Sequence, residues 1–422
     1  MDLLTKVGAL VILLSLQLVF CEEVARYDNY KVYQVTAKTK QQMDTLHGIE
    51  MNSDAYIFLE SGHKVGDKFT VIVPPHKLAD FAETLKMEKI CGRIINSNVQ
   101  QTIDDERNRM QSKRLKGVFD WTEYHNLEEI HAWLDKLAAE YTQVEVIEGG
   151  RSYEKRSIKG VKVSYKSGNP GIFIEGGIHA REWISPATVT YILNELLTSE
   201  DASVRKIAES YDWYVFPSVN PDGYVYSHRR NRYWRKTRTP YPNGCFGADP
   251  NRNWDFFWGV AGTSRRCYAD SYGGPGAFSE KETKSLSEYI NTLSGKIQAY
   301  IAFHSYSQLL LFPYGHTSER TPNHDDLDEI ANATVTSLAK RYGTQYRYGN
   351  IYDAIYPASG SSSEWAYGVQ KVRLSYTYEL RPMGGYNGFV LPPEQIIPTG
   401  EETLDSLVTM LEESEKRNYF KV

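Results

Sequence analysis

The pattern His-x-x-Glu places an imidazole and a carboxylate three residues apart, close enough to hold one zinc ion from a tight turn. It occurs four times here: His47/Glu50, His125/Glu128, His179/Glu182 and His316/Glu319. With a single metal, at least three are accidents, so context must choose. Only His179 follows an apolar strand, Ile172 to Glu175, and a Gly176-Gly177 turn, with a helical segment after it. In open α/β sheets, sites lie beyond the carboxyl ends of strands. His47 and His125 fall in or beside helical patterns, and His316 lies in a Pro/Gly/His loop. A catalytic zinc keeps three protein ligands and one open position. The third should come from another strand end, and Ala299 to Phe303 delivers His304 to such a place. A lone histidine there is more often a satisfied core residue than a ligand.

The elements that must position these residues fall into two units. Residues about 28 to 100 read as βαββαβ, a ferredoxin-like order. Strand patterns cover Tyr30–Thr36, Asp54–Glu60, Lys68–Val73 and Gly92–Val99, and helical ones Gln41–Leu46 and Lys77–Lys89. A charged stretch, Asp104 to Lys116, follows without a core-forming pattern. It reads either as a solvated helix or linker, or as a nicking site for a trypsin-like protease. From Val118 onward strands and helices alternate. Strands are expected at 158–164, 171–175, 213–217, 299–303 and 372–378. Ser185-Pro186 reads as an N-cap ahead of Val189–Leu197, Ser279-Glu-Lys-Glu282 as a capping box ahead of Thr283–Leu293, and Thr403–Glu415 as a terminal helix. The fold class is α/β, a mixed, largely buried sheet flanked by helices, preceded by the small α+β unit.

Composition sets the setting. The 422 residues allow two or three domains. A hydrophobic fraction of 41% and a charged fraction of 24% are ordinary for a globular chain. The formal net charge of −5 gives no reason to expect nucleic acid or an anionic membrane. Lys6, the apolar run Val7 to Phe20 and Cys21 make a secretory signal peptide, too short to span a bilayer comfortably. The expectation is therefore a secreted, extracellular protein without a membrane span. In that oxidising compartment Cys245 and Cys267 are the natural disulfide. Cys91 is left unpaired and reads as a buried small residue. Asn332-Ala333-Thr334 is a glycosylation sequon.

Several segments carry a resemblance. Gly176-Gly-Ile-His-Ala-Arg-Glu-Trp-Ile-Ser-Pro186 resembles the zinc-binding segment of the carboxypeptidase A/B family of digestive zinc metallocarboxypeptidases. His304-Ser-Tyr-Ser-Gln308 resembles the segment that supplies its third ligand. In the same order follow matches at Asn220–Tyr224, Asn231–Arg238, Asp249–Trp254, Ile355–Gly360 and Tyr378–Arg381. The resemblance covers essentially the whole chain, and the first unit is similar to the family's activation segment. It implies domains at 1–21 (signal peptide), 22–114 (activation domain with a basic, cleavable linker) and 115–422 (catalytic). It implies one Zn²⁺ per chain on His179, Glu182 and His304, with Asp249 buttressing a histidine ligand. Glu379 matches the catalytic carboxylate and Arg235 the arginine that stabilises the oxyanion. Asn251 and Arg252 match a clamp for the substrate's terminal carboxylate, with Tyr356 closing over it. Arg181 and Tyr306 match positions further along the groove. Ser363 matches the residue that sets side-chain preference. Basic-specific members carry Asp there and apolar-specific ones a bulky aliphatic residue, so Ser363 fits neither. Ala302, Gly315, Ile351, Ala358 and Thr377 match other pocket positions. The family also has a cis peptide after the arginine that matches Arg381.

The function implied is a monomeric zymogen exopeptidase that removes single, apolar or aromatic C-terminal residues from peptides. Its partners are peptide substrates, a trypsin-like activating protease and its own activation domain as inhibitor. The alternatives are preference for Lys or Arg, an amide hydrolase of small acylated amino acids, and a silent peptide-binding homologue. The residues leave tissue and physiological substrate open.

Overall fold

A computed structural model describes residues 23–421, apart from residues 54, 63, 114–118 and 386. The signal-peptide segment, Cys21 included, lies outside the described residues, as do Arg114 and Lys116 of the basic linker.

The first unit is β1 (Lys31–Thr36), α1 (Lys40–Asn52), β2 (Ile57–Glu60), β3 (Lys68–Val73), α2 (Leu78–Met87) and β4 (Cys91–Asn96). The sheet order β2-β3-β1-β4, with β3 and β4 both antiparallel to β1, is the ferredoxin-like arrangement expected. In β3, residues Phe69 to Val73 are all buried, because one face meets α1 and α2 and the other meets the second unit. Cys91 is corrected here: as the first residue of edge strand β4 it is exposed rather than buried. The charged stretch continues as helix α3 (Val99–Lys113), with Ile103 and Glu106 on its inner face buried.

The second unit contains α4 (Leu127–Glu140), β5 (Val144–Arg151), β6 (Ser157–Val163), β7 (Gly171–Glu175), α5 (Ile184–Thr198), α6 (Ala202–Ser210), β8 (Asp212–Phe216), α7 (Pro221–Arg229) and α8 (Lys281–Asn291). Then come β9 (Ile297–Ser305), β10 (Leu309–Phe312), α9 (His324–Tyr342), β11 (Arg347–Asn350), α10 (Ile351–Ala354), α11 (Ser362–Gly368), β12 (Leu374–Leu380) and α12 (Ile396–Lys416). The eight-stranded sheet runs β11-β10-β12-β9-β7-β8-β6-β5. Its four central strands, β12, β9, β7 and β8, are mutually parallel, and the flanking pairs bring in antiparallel strands. Helices cover both faces, so β7 and β8 are buried at every residue, with the apolar runs Ile172–Ile174 and Trp213–Phe216 inside them. One core lies between the sheet and α4, α5, α6, α9 and α12, the other between the sheet and α8 and α11.

Both capping expectations in this unit are corrected. Helix α5 starts at Ile184, so Ser185 lies inside its first turn. Its hydroxyl donates to Phe303 O (2.6 Å) and accepts from Gly177 N (2.9 Å), tying the helix start to β9 and to the glycine turn. Ser279 forms no capping box, because Glu280 occupies the cap position and its carboxylate turns inward to the Thr237 and Tyr241 hydroxyls. The terminal helix starts at Ile396, before the Thr403 expected. The bond between Arg381 and Pro382 is cis, and Cys245 is bonded to Cys267. Among the described residues, no helix is long and apolar enough to cross a membrane.

Candidate active site

Three adjacent parallel strands deliver the chemistry. His179 and Glu182 sit on the turn after β7, where Gly177 takes φ +63° and a side chain would meet Pro186 and Ser218 at 3.1 Å. His304 is near the end of β9, and Glu379 lies directly opposite it in β12. Each position follows from parallel strands ending on one edge of the sheet.

His179, Glu182 and His304 are the group of three metal-type donors found among the described residues; their ligand atoms all lie within 4.8 Å of one another, and all three side chains are buried. His179 Nδ1 is 2.8 Å from Glu182 Oε1 and 3.2 Å from His304 Nδ1. Two imidazole nitrogens so close, facing one carboxylate, suit a shared cation better than each other. The other His179 nitrogen, Nε2, meets Asp249 Oδ1 at 3.1 Å. This pairing fixes which nitrogen is free for a metal. The donor set is the nitrogen- and oxygen-rich one zinc prefers. The other three His-x-x-Glu pairs are elsewhere. The His47 ring meets Gly62 O, His125 meets Asp120 O and Glu129, and His316 meets Glu364.

Arg235 donates from Nη2 to Asp249 Oδ2 at 2.9 Å and lies 3.7 Å from Glu182, so its charge faces the same point. Asp249 is held well below the usual carboxylate range: burial pushes it up, but Arg235 and His179 together outweigh that. Glu182 is also lowered; burial opposes this, and the two imidazoles prevail. Glu379 moves the other way. Burial, the larger cause, and the nearby Glu182 charge lift it to about 8 against the pull of His304 and Arg235. Arg381, two residues on, does not pair with Glu379 but binds Glu402 and Gln395.

A second group adjoins the first. Asn251 N–H donates to Asp249 Oδ1 (2.9 Å), chaining the two groups together. Arg252 is buried and held by Gly262 O (3.0 Å) and Asn251 O (2.8 Å), and its Nη2 donates to the Tyr356 hydroxyl at 2.8 Å. Such a fork can read a carboxylate with two parallel bonds. Arg181 is apart from both groups, paired with Asp270 (2.8 Å) and lying over the Phe389 ring. Tyr306 packs on Phe389 in a cluster shared with Leu59, Ile72 and Ile103 of the first unit, which therefore covers this end of the groove. At the pocket positions, Ala302 is in register with Thr377, whose hydroxyl donates to Ser363 Oγ (3.1 Å). Gly315 lies so close to Ala358 and Ile351 that a Cβ would meet each at 2.7 Å. Glu364, next to Ser363, is fully buried and accepts from Gly315 N–H (2.7 Å), from His316 N–H (3.2 Å) and from the His316 ring.

Two features escaped sequence reasoning. Arg232, inside a matched segment, forms a buried ion pair with Glu106 of α3 (2.6 Å). Nothing in the spacing links residues 126 positions apart. Glu175, an acid closing the apolar run Ile172–Ile174, is almost completely buried on the strand beside His304's, opposite Ala302. A charge at the end of an all-buried strand was the available clue.

A buried donor set for one zinc ion, a carboxylate at the next strand end and an arginine fork beside them define a zinc peptidase of the C-terminal-residue type. The comparisons agree. Residues 130–406 match the family model "Zinc carboxypeptidase", and residues 33–106 match "Carboxypeptidase activation peptide". Zinc carboxypeptidase A 1 of Anopheles gambiae is 63% identical over 94% of this chain and 92% of its own. Carboxypeptidase B of Astacus astacus is 47% identical over 68% of this chain and 96% of its own. The crystal structure of carboxypeptidase A from Helicoverpa armigera superposes with a TM-score of 0.85 at 28% identity, covering 92% of this chain and 98% of that one. The chain belongs to the zinc carboxypeptidase family, with zinc as its cofactor, and carries that family's activation peptide.

Proposed function

We propose that the protein is secreted as a precursor, is activated by a trypsin-like protease cutting between Arg107 and Lys116, and then releases single apolar or aromatic residues from peptide C-termini. The observation that carries this reading is the convergence of His179, Glu182 and His304 with Glu379 on one side and the Arg252–Tyr356 pair on the other. His179, Glu182 and His304 hold the zinc, and Asp249 keeps the His179 ring in the tautomer this requires. Bound there, zinc supplies Lewis acidity toward the scissile carbonyl and makes water nucleophilic near neutral pH.

The other steps belong to the chain's own groups. Arg252 and Asn251 take the substrate's terminal carboxylate, and Tyr356 closes over it. Glu379, whose environment favours proton uptake, accepts a proton from the attacking water and returns it to the leaving amine. Arg235, oriented by Asp249, faces the oxygen on which negative charge develops.

The apolar preference rests on Ala302, Gly315, Ile351, Ala358, Thr377 and Ser363, none of which is charged. Glu364 supports it too, because its carboxylate is already engaged by the Gly315–His316 turn. Burying a lysine ammonium against hydroxyls alone leaves its desolvation unrepaid, a cost of several kcal/mol. A Phe or Leu side chain gains about 25 cal/mol per Å² buried. After trypsin activation, kcat/KM for blocked dipeptides ending in Phe should exceed that for Arg, and Ser363→Asp should shift the ratio toward Arg. A parent enzyme that prefers Arg would overturn the preference while leaving the peptidase reading intact.

A further inference from the structure

The outer nitrogen of His179 has Asp249, but the outer nitrogen of His304 has no hydrogen-bond partner among the described residues. His304 Nδ1 faces Glu182 and His179, so Nε2 points away from the metal donors and must carry the proton. It is buried. Two further buried polar atoms without partners belong to residues on the same face of the sheet: Glu175 Oε2 and the Tyr300 hydroxyl. Strand register brings them together. Tyr300, Ala302 and His304 alternate onto one face of β9, and Glu175 of β7 pairs in parallel with Ala302, directing its side chain to that face. The small Ala302 is all that separates Tyr300 from His304 along the strand. The other Glu175 oxygen is held by the Ser362 hydroxyl at the start of α11, and Ser362 N–H is in turn held by Asn251 Oδ1 (3.1 Å).

One donor nitrogen, one carboxylate oxygen and one phenol, all out of contact with bulk solvent, are the environment of a structural water, which ordinarily makes about three hydrogen bonds. Left unpaired, each such group would bear its full desolvation penalty. We propose that Glu175 is a positioning residue for His304, acting through a buried water that accepts from His304 Nε2–H and donates to Glu175 Oε2, with Tyr300 completing its shell. Glu175 then does for His304 through water what Asp249 does for His179 directly. Because Ser362 also touches Asn251, the same carboxylate ties the metal-binding histidine to the segment that holds the carboxylate clamp.

This inference rests on His304 holding zinc, which parent enzyme and His304→Ala test separately by zinc content. The experiment uses trypsin-activated, zinc-loaded Glu175→Leu and Glu175→Gln, with zinc release to a chelator as the main readout. The visible spectrum of the cobalt-substituted enzymes reports ligand geometry independently of activity. Removing an outer partner of a ligating histidine typically weakens metal binding about 10–100-fold. Glu175→Leu should therefore release zinc at least tenfold faster and perturb the cobalt spectrum, and Glu175→Gln, which keeps an acceptor, should fall between it and parent. Release by Glu175→Leu within twofold of parent would overturn the proposal. If that variant does not fold, Glu175→Gln decides: release at least threefold faster with unchanged thermal stability of the zinc-free form supports it, and parent-like release refutes it.

Discussion

One contact between the activation domain and the catalytic domain is open to a quantitative test at Glu106. Its carboxylate receives Arg232 Nε at 2.6 Å and Nη2 at 3.1 Å, and both side chains are almost completely buried. Arg232 also donates to Arg181 O (2.8 Å) and lies 3.6 Å above the Trp183 ring. Breaking a buried pair by removing one partner costs about 3–5 kcal/mol, because the remaining charge is stranded. In Glu106→Ala the stranded charge is Arg232, and only while the activation domain covers it. Once that domain leaves, Arg232 regains solvent, so the penalty falls on the complex alone. Affinity of the separated activation domain for the activated enzyme should drop by 10² to 10³ or more, at 1.4 kcal/mol per decade. The assay is the inhibition constant of purified domain, wild type against Glu106→Ala, on activated enzyme. Arg232→Ala enzyme, added to complete a double-mutant cycle, should recover much of the loss with the mutant domain. A change below about fivefold, or full additivity in the cycle, would refute the argument.

Three further outcomes follow from the geometry. Glu282 is buried with one oxygen unpartnered, and burial with the nearby Asp222 charge lifts it from 4.5 to about 8. The folded state therefore holds a proton that the unfolded state releases from about pH 4.5 upward, and stability falls as pH rises from there to about 8, by at most about 5 kcal/mol. Glu282→Gln should flatten that decline and raise Tm at pH 8 by calorimetry; a lower Tm for the variant at pH 8 would contradict it. Replacing Cys245 and Cys267 by Ser opens a link between residues 22 positions apart, with an expected loss of about 3 kcal/mol in denaturant melts. Arg252→Lys keeps the charge but loses the fork, so kcat/KM should fall by about 2–3 kcal/mol, roughly 30- to 150-fold, whereas a blocked C-terminal amide, already a poor substrate, should be nearly insensitive.

Much of the fold was legible because burial and periodicity coincide. The central strands β7, β8, β9 and β12 are apolar runs, and each was expected within two or three residues of its observed bounds. The three strands that went unrecognised flank that centre; β5 and β11 carry weaker patterns, and β10, though apolar throughout, is too short to show a period. β5 is Val-Glu-Val-Ile-Glu-Gly-Gly-Arg, β11 is Arg-Tyr-Gly-Asn, and β10 is four residues long. Caps failed for a related reason. Ser185 and Ser279 have the right chemistry for a helix start, but other partners claimed their hydroxyls: Phe303 O and Gly177 N for one, Asn253 and the adjacent Glu280 carboxylate for the other. Local propensity loses where a buried acceptor offers a better bond.

The site was legible for a different reason. His179, Glu182 and His304 stand out by spacing and by their places after strands, whereas Asp249, Arg235, Arg252 and Glu379 are reached only through the segments that resemble the family; the structure brings these residues near one another. Their supports are not found in that way. Glu106 reaches Arg232 only because α3 lies across the catalytic domain, and Glu175 shares a face of the sheet with His304 only because β7 and β9 run parallel with Glu175 opposite Ala302. Glu106 lies where local pattern predicts nothing special, Glu175 closes an all-buried apolar run, and both are buried, where an acid must find a partner. A buried carboxylate is therefore the kind of residue for which coordinates add most: its cost is certain from the sequence and burial together, but the group that offsets it is fixed by topology alone.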